Sequence, residues 1–224
     1  MSFVVAIDGP AGTGKGTITK LISQEMGLVN IDTGATYRCV TLYVIKNNIS
    51  VDDKETIIKS LDNIKINILN VNGEQKIFLN DVDVSKEIRN EEVSLKASKI
   101  SCIKEVREKL VEIQRKLAEG KDVIMEGRDI TTVVFPKADV KIYMDADERE
   151  RAKRRYLENI QKGIDITYEE VLKNIQARDK NDKEKEVGAL KIAEDAIYLD
   201  TTNLSIEEVK NRVKEIIENK KGQK

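Results

Sequence analysis

Residues 3–7, FVVAI, form an apolar, β-branched run with no polar alternation that ends at Asp8-Gly9. A strand buried on both faces of a parallel sheet reads this way. A glycine-rich turn follows, and from Lys15 to about Met26 the apolar positions Ile18, Leu21, Ile22 and Met26 recur at helical spacing, with Gly27 placed as a C-cap. The unit is strand, glycine loop, helix. Further strand patterns lie at 122–126, 139–144 and 196–199, with charged helical stretches at about 147–162, 167–186 and 205–219. This rhythm predicts an α/β fold: a doubly wound parallel sheet with helices on both faces.

One stretch departs from it. Ile64, Ile66 and Ile68 alternate, Asn72-Gly73 supplies a tight turn, and Ile77 and Leu79 alternate again. That pattern predicts a β-hairpin. Helical segments at 51–61, about 85–99 and 103–119 surround it, so a small antiparallel insert over about 62–85 is expected. An edge hairpin of the main sheet is the alternative.

Composition narrows the function. Lysine plus arginine (39) nearly balance aspartate plus glutamate (40), for a formal charge of −1, which speaks against holding nucleic acid by counterion release. No segment reaches the roughly 20 uninterrupted apolar residues of a membrane span, so a soluble cytoplasmic protein is expected, with a monomer as the default. Cys39 and Cys102 fit no metal or redox spacing and read as reduced thiols. The chain has no histidine, which removes histidine bases, Ser-His-Asp chemistry and histidine zinc sites. Chemistry driven by charge and positioning remains.

Gly9-Pro10-Ala11-Gly12-Thr13-Gly14-Lys15-Gly16-Thr17 is a phosphate-binding loop in the expected context, between a buried strand and a helix. Its glycines let backbone N–H groups face a polyphosphate, the helix N-terminus adds partial positive charge, and Lys15 adds a full one. Gly16 stands where a hydroxyl is usual, so Thr17 is the hydroxyl expected near Mg²⁺, through water if not directly. Such a loop serves GTPases, motor ATPases and kinases alike. The guanine-reading and switch motifs of a GTPase are absent. A kinase needs a second anion site, and three segments offer one: Asp32-Thr33-Gly34-Ala35-Thr36-Tyr37-Arg38, Glu126-Gly127-Arg128-Asp129, and Arg178-Asp179-Lys180-Asn181-Asp182, where Arg178 and Asp182 share a helix face. Taken singly, Arg178 with Asp182 also reads as a surface pair, Arg107 and Ser98 as solvated or packed helix positions, and Tyr37 as core.

GPAGTGKGT, DTGATYR, the hairpin, EGRDITTVVFP and RDKND, in this order, resemble the bacterial cytidylate kinases along nearly the whole chain. The resemblance implies one P-loop nucleotide-kinase domain over 1–224, with a core (about 1–61, 86–146 and 187–224), a three-stranded insert (about 62–85) and a lid with its following helix (about 147–186). It implies transfer of phosphoryl from ATP, with Mg²⁺, to CMP or dCMP; another monophosphate acceptor such as UMP or AMP, or a non-catalytic nucleotide-binding module, is the alternative. Within it, Thr33, Arg107 and Asp129 are expected to read cytosine. Tyr37, Arg38 and Arg128 would hold the acceptor phosphate, Ser98, Arg178 and Asp182 the sugar and nearby phosphate, and Gly34 would belong to the same CMP site. Lys15, Arg38 and Arg128 would carry catalysis, and lid residues Arg151, Arg154 and Arg155, at helical spacing, would close over the phosphates. Four positions depart from the family: Thr33 for a usual serine, Thr132 for a usual glycine, and Asn181 and Lys185 where arginine is frequent.

Overall fold

The structure is a computed structural model and describes residues 2–71 and 74–222. Its first strand, β1 (Val4–Asp8), is followed by helix α1 (Lys15–Met26), strand β2 (Val29–Asp32), and helices α2 (Thr33–Lys46) and α3 (Lys54–Ser60). Strands β3 (Ile66–Val71), β4 (Glu74–Leu79) and β5 (Val82–Asp83) come next, then helices α4 (Glu91–Ile100) and α5 (Lys104–Ala118). Strand β6 (Val123–Gly127), a π-turn (Ile130–Val134) and strand β7 (Val140–Asp145) lead into α6 (Glu148–Gln161) and α7 (Tyr168–Glu184). Strand β8 (Ile197–Asp200) and helix α8 (Ile206–Lys221) close the chain.

The main sheet is parallel throughout, in the order β2-β6-β1-β7-β8. Val5, Ala6 and Ile7 of the central strand are fully buried, which explains the unbroken apolar run. The two-residue period of the strand divides them between faces. Val5 and Ile7 pack with Ile142 against Ile18 and Ile22 of α1 and Val213 and Ile217 of α8. Ala6 and Met125 pack against Val111 and Ala118 of α5 and Ile130 of the π-turn. The doubly wound reading therefore stands, with helices on both faces.

The hairpin segment forms a separate sheet, in the order β3-β4-β5, so it is not an edge of the main one. Its expected turn at Asn72-Gly73 lies outside the described residues. Ile66, Ile77 and Leu79 are buried in a second core with Leu42 and Val44 of α2, Val93 of α4 and Leu110 of α5. The insert thus shares its core with the helix that opens at Thr33. Helices α6 and α7 form a hairpin over a small core of Ala152, Val171 and Ile175. A capping box of Thr167 and Glu170 starts α7. Among the described residues no helix is long and apolar enough to cross a membrane.

Two elements differ from the sequence reading. Strand β2 pairs with β6 as the sheet edge, whereas the sequence pattern registers nothing before Asp32. The segment after Asp129 is a π-turn, and Thr132 within it avoids positive φ, as its side chain requires.

Candidate functional site

Both halves of the predicted chemistry lie at the carboxyl ends of β1, β2 and β6, where open α/β sheets bind ligands. They line one cleft of about 1030 Å³. At the start of the phosphate loop, Gly9 turns against β7: a Cβ there would stand 1.9 Å from the Met144 carbonyl oxygen, so only glycine fits. Gly9 and Pro10 do not line the cleft, whereas residues from Ala11 to Thr17 do. Helix α1 has no side-chain N-cap, in contrast to α2, α6, α7 and α8, so its first amides stay open to an anion. Lys15 is buried, and its Nζ donates to the Pro10 carbonyl at 2.7 Å and to Thr13 Oγ1 at 3.1 Å. Burial, then the Arg128 guanidinium, push its ammonium down to about 7, while Glu126 opposes the shift.

A second set of cations lines the same cleft. Arg38 Nη2 pairs with Asp32 at 2.6 Å, and its buried Nε has no hydrogen-bond partner. Arg128 donates through Nε to Asp182 at 2.7 Å. Asp182 also accepts from Lys185 at 2.7 Å. Burial alone would raise its carboxyl; Arg128, Lys185 and Arg178 outweigh that and hold it well below the usual range. Arg178 lines the cleft and, among the described residues, has no hydrogen-bond or ion-pair partner. Burial and the neighbouring Arg128 lower it to about 10. Arg178 and Asp182 therefore share a face without forming the pair their spacing suggests. A guanidinium left in a crowd of guanidinium groups is a site for an anion.

Deeper in the cleft, Arg107 and Asp129 form a buried ion pair. Arg107 also donates to the Ser101 carbonyl at 3.1 Å and lies 5.6 Å from the centre of the Tyr37 ring. Burial raises the Asp129 carboxyl, with Arg107 opposing, and burial raises the Tyr37 phenol. Thr33 donates to the Glu126 carbonyl at 2.7 Å, and Gly34 lies beside Arg38. Ser98 lines the same space and accepts from Asn181 Nδ2 at 2.6 Å.

The three arginines of α6 expected to act as a lid separate. Arg154 lines the cleft and donates to the carbonyls of Thr201 at 2.6 Å and Thr202 at 3.0 Å; Arg155 lines it too and pairs with Glu158 at 3.1 Å. Arg151, expected beside them, is instead buried and does not line the cleft, because its helix position faces α7, where it pairs with Asp179, and the carbonyls of Ala146 and Ala11.

Several lining residues carry no site role in the sequence reading. Asp32 and Arg89, both lining the cleft, form an ion pair at 3.7 Å. Glu126 is the penultimate residue of β6, and burial together with Asp32 raises its carboxyl. Its place at the end of a buried strand is the signal that points to it. Asn181 and Lys185, which stand where the family often has arginine, both line the cleft as well.

A family model described as Cytidylate kinase matches residues 5–219. A cytidylate kinase from Caldicellulosiruptor bescii is 52% identical over 212 residues, covering 95% of this chain and 94% of its own. One from Fusobacterium nucleatum is 50% identical over 217 residues, covering 97% and 98%, and one from Streptococcus pneumoniae 45% identical over 211 residues, covering 94% and 95%. An uncharacterized protein from Eubacterium ventriosum, with 9% identity, has a similar fold at a TM-score of 0.52 over 98% of this chain and 99% of its own.

Proposed function

The chain belongs to the cytidylate kinase family, P-loop transferases that phosphorylate CMP with ATP, and we propose that its cleft moves the phosphoryl group by direct in-line transfer to CMP or dCMP. The observation that carries this reading is the gathering of two cation sets in one cleft: Lys15 with the open end of α1, and Arg38, Arg128 and unpartnered Arg178.

An acceptor phosphate is already ionised at neutral pH, so no general base is needed and a chain without histidine is not handicapped. Catalysis then reduces to alignment and neutralisation of charge. Lys15 meets the donor phosphates. Arg38 offers its unpaired Nε, and Arg128, oriented by Asp182, holds the acceptor phosphate. Arg178 takes the phosphate or the sugar edge nearest it, and Ser98 and Asp182 the sugar. Arg154 and Arg155 close over the phosphates from α6. In the deep end, Asp129 accepts the exocyclic amine of cytosine and Arg107 donates to its carbonyl, with Thr33 and Tyr37 shaping the pocket.

The donor set fits Mg²⁺. Thr17 is exposed at the first turn of α1, and the Glu126 carboxylate lies close enough to Gly16 that a Cβ there would stand 2.7 Å from Oε1. These are hard oxygen donors, and among the described residues no cluster of three acidic, histidine or cysteine side chains forms a cage. Mg²⁺ characteristically takes few protein ligands and keeps water and phosphate oxygens. Thr17 would hold it, directly or through water, with Glu126 on the water shell; the ion would screen phosphate charge. The enzyme works in the cytoplasm, where its nucleotide substrates are.

The test is ADP formation with Mg·ATP against CMP, dCMP, UMP, AMP, GMP, dTMP and shikimate. CMP and dCMP are expected to exceed the others in kcat/KM by at least about tenfold, or ~1.4 kcal/mol. Another preferred acceptor would remove the cytosine-reading roles of Thr33, Arg107 and Asp129.

A further inference from the structure

Arg151 of α6 and Asp179 of α7 form a buried pair, Nη1 to Oδ2 at 2.6 Å, and neither side chain lines the cleft. Both also hold one residue of the phosphate loop. Arg151 Nη1 donates to the Ala11 carbonyl at 3.0 Å, and the Ala11 amide donates to Asp179 Oδ1 at 3.4 Å. Arg151 Nε donates to the Ala146 carbonyl just beyond β7 at 2.9 Å, which roots α6 in the core. The backbone contact is close as well: a Cβ at Gly12 would stand 3.2 Å from both Arg151 Cβ and its carbonyl oxygen.

The α6–α7 hairpin is therefore bonded to the loop that receives the donor phosphates. The residue before Asp179 is Arg178, the unpartnered cation of the cleft, and three residues after it comes Asp182, which orients Arg128. A buried ion pair contributes little net stability relative to apolar packing, so its retention points to geometry. We infer that Arg151 and Asp179 are positioning residues: a latch through which occupancy of the phosphate loop sets α7, and with it Arg178 and Asp182, for the acceptor. The inference rests on the reading of the cleft as a donor site facing an acceptor site. Such coupling is reciprocal, so each nucleotide must tighten the other by the same factor.

The test compares the wild type with the double variant Arg151→Met/Asp179→Leu, which removes both charges and leaves neither buried alone, and with Asp179→Asn. CMP affinity is measured by calorimetry with and without the magnesium complex of a non-hydrolysable ATP analogue, alongside kcat, KM and amide exchange across α7. In the wild type the analogue should change CMP affinity by about tenfold. In the double variant that factor should fall to about one and kcat by about a hundredfold, with analogue affinity within about threefold of wild type. A folded double variant that keeps the coupling, or a wild type that has none, overturns the latch. Should the wild type not phosphorylate CMP, the exchange data still decide: analogue-dependent protection of α7 that vanishes in the double variant upholds the latch while the acceptor assignment falls, and protection that survives sinks it.

Discussion

The carboxylate of Asp8 accepts both the amide of Thr131, at 2.7 Å, and its hydroxyl, at 2.6 Å. The Ile130 amide adds a third bond at 2.9 Å. Asp8 is the last residue of β1 and leads directly into the phosphate loop; Thr131 follows Arg128 and Asp129, the residues proposed to meet the acceptor. At the far end of the π-turn, Arg115 donates to the Val133 and Val134 carbonyls at 2.8 and 2.9 Å. An acid at its amide end and a base at its carbonyl end thus fix the turn, in the sense its dipole favours.

Replacement of Asp8 by asparagine keeps the shape but lets one end of the side chain only donate, against an N–H that also donates. A buried donor left unpaired costs about 1–3 kcal/mol. In a chain of this size each kcal/mol lowers Tm by about 2–4 °C. The expected outcome is a Tm lower by several degrees, with kcat falling further than the KM for ATP changes. Thr131→Ser should behave as wild type and Thr131→Val should resemble the Asp8 variant; calorimetry and steady-state kinetics on the three would settle it.

The phosphate loop was legible because its signals are local: a buried strand, glycines and a helix follow one another within 26 residues. The insert was legible for the same reason, through alternation on both sides of a turn signal. Strand β2 was not, because Val29–Asp32 alternates only two apolar residues with Asn30 and Asp32, and its identity as an edge comes from pairing with β6, far along the chain. The arginines show the same limit. Helical spacing groups Arg151 with Arg154 and Arg155, but Arg151 finds Asp179 across two helices, and Asp182 turns from Arg178 toward Arg128, 54 positions away. Pairing between distant charges is set by the tertiary fold and leaves no periodic trace.

Lys15→Ala and Arg38→Ala separate donor from acceptor. Lys15 bonds only within its own loop, so its loss should remove turnover while CMP binding stays near normal. Arg38 should show the reverse emphasis. A hydrogen bond to a charged group is worth about 1.5–3 kcal/mol, so the CMP KM should rise by about tenfold to a hundredfold. Titration of CMP into each variant, with parallel initial rates, distinguishes the two; near-normal kcat in Lys15→Ala would contradict the assignment.

Gly188 offers a test of the base pocket from outside it. Its φ is +67°, and a Cβ there would stand 1.8 Å from Arg107 Nη2 and 2.3 Å from its Cζ. The guanidinium cannot yield easily, being fixed by Asp129, the Ser101 carbonyl and the Tyr37 ring. Gly188→Ala should therefore displace Arg107 and lower kcat/KM for CMP by about tenfold to a hundredfold, in line with one lost charged hydrogen bond. The KM for ATP should be unchanged. An acceptor panel run on this variant should show the preference for cytosine flattened, and a variant that retains it would separate Arg107 from base reading.

Lys15 also makes a prediction in protons. Burial and Arg128 lower its ammonium from an ordinary 10.5 to about 7 in the free protein. A bound polyphosphate supplies negative charge beside it and raises that value again. Between the free and bound values, binding must take up a proton, and affinity must fall as pH rises through that window. Below about pH 6 Lys15 is already charged in the free protein, so uptake should vanish there. Calorimetry of ATP-analogue binding at pH 8, in buffers of different ionisation enthalpy, should report uptake approaching one proton in the wild type and a clear loss of it in Lys15→Ala. Equal uptake in the two proteins would assign the proton to another group and leave Lys15 charged throughout.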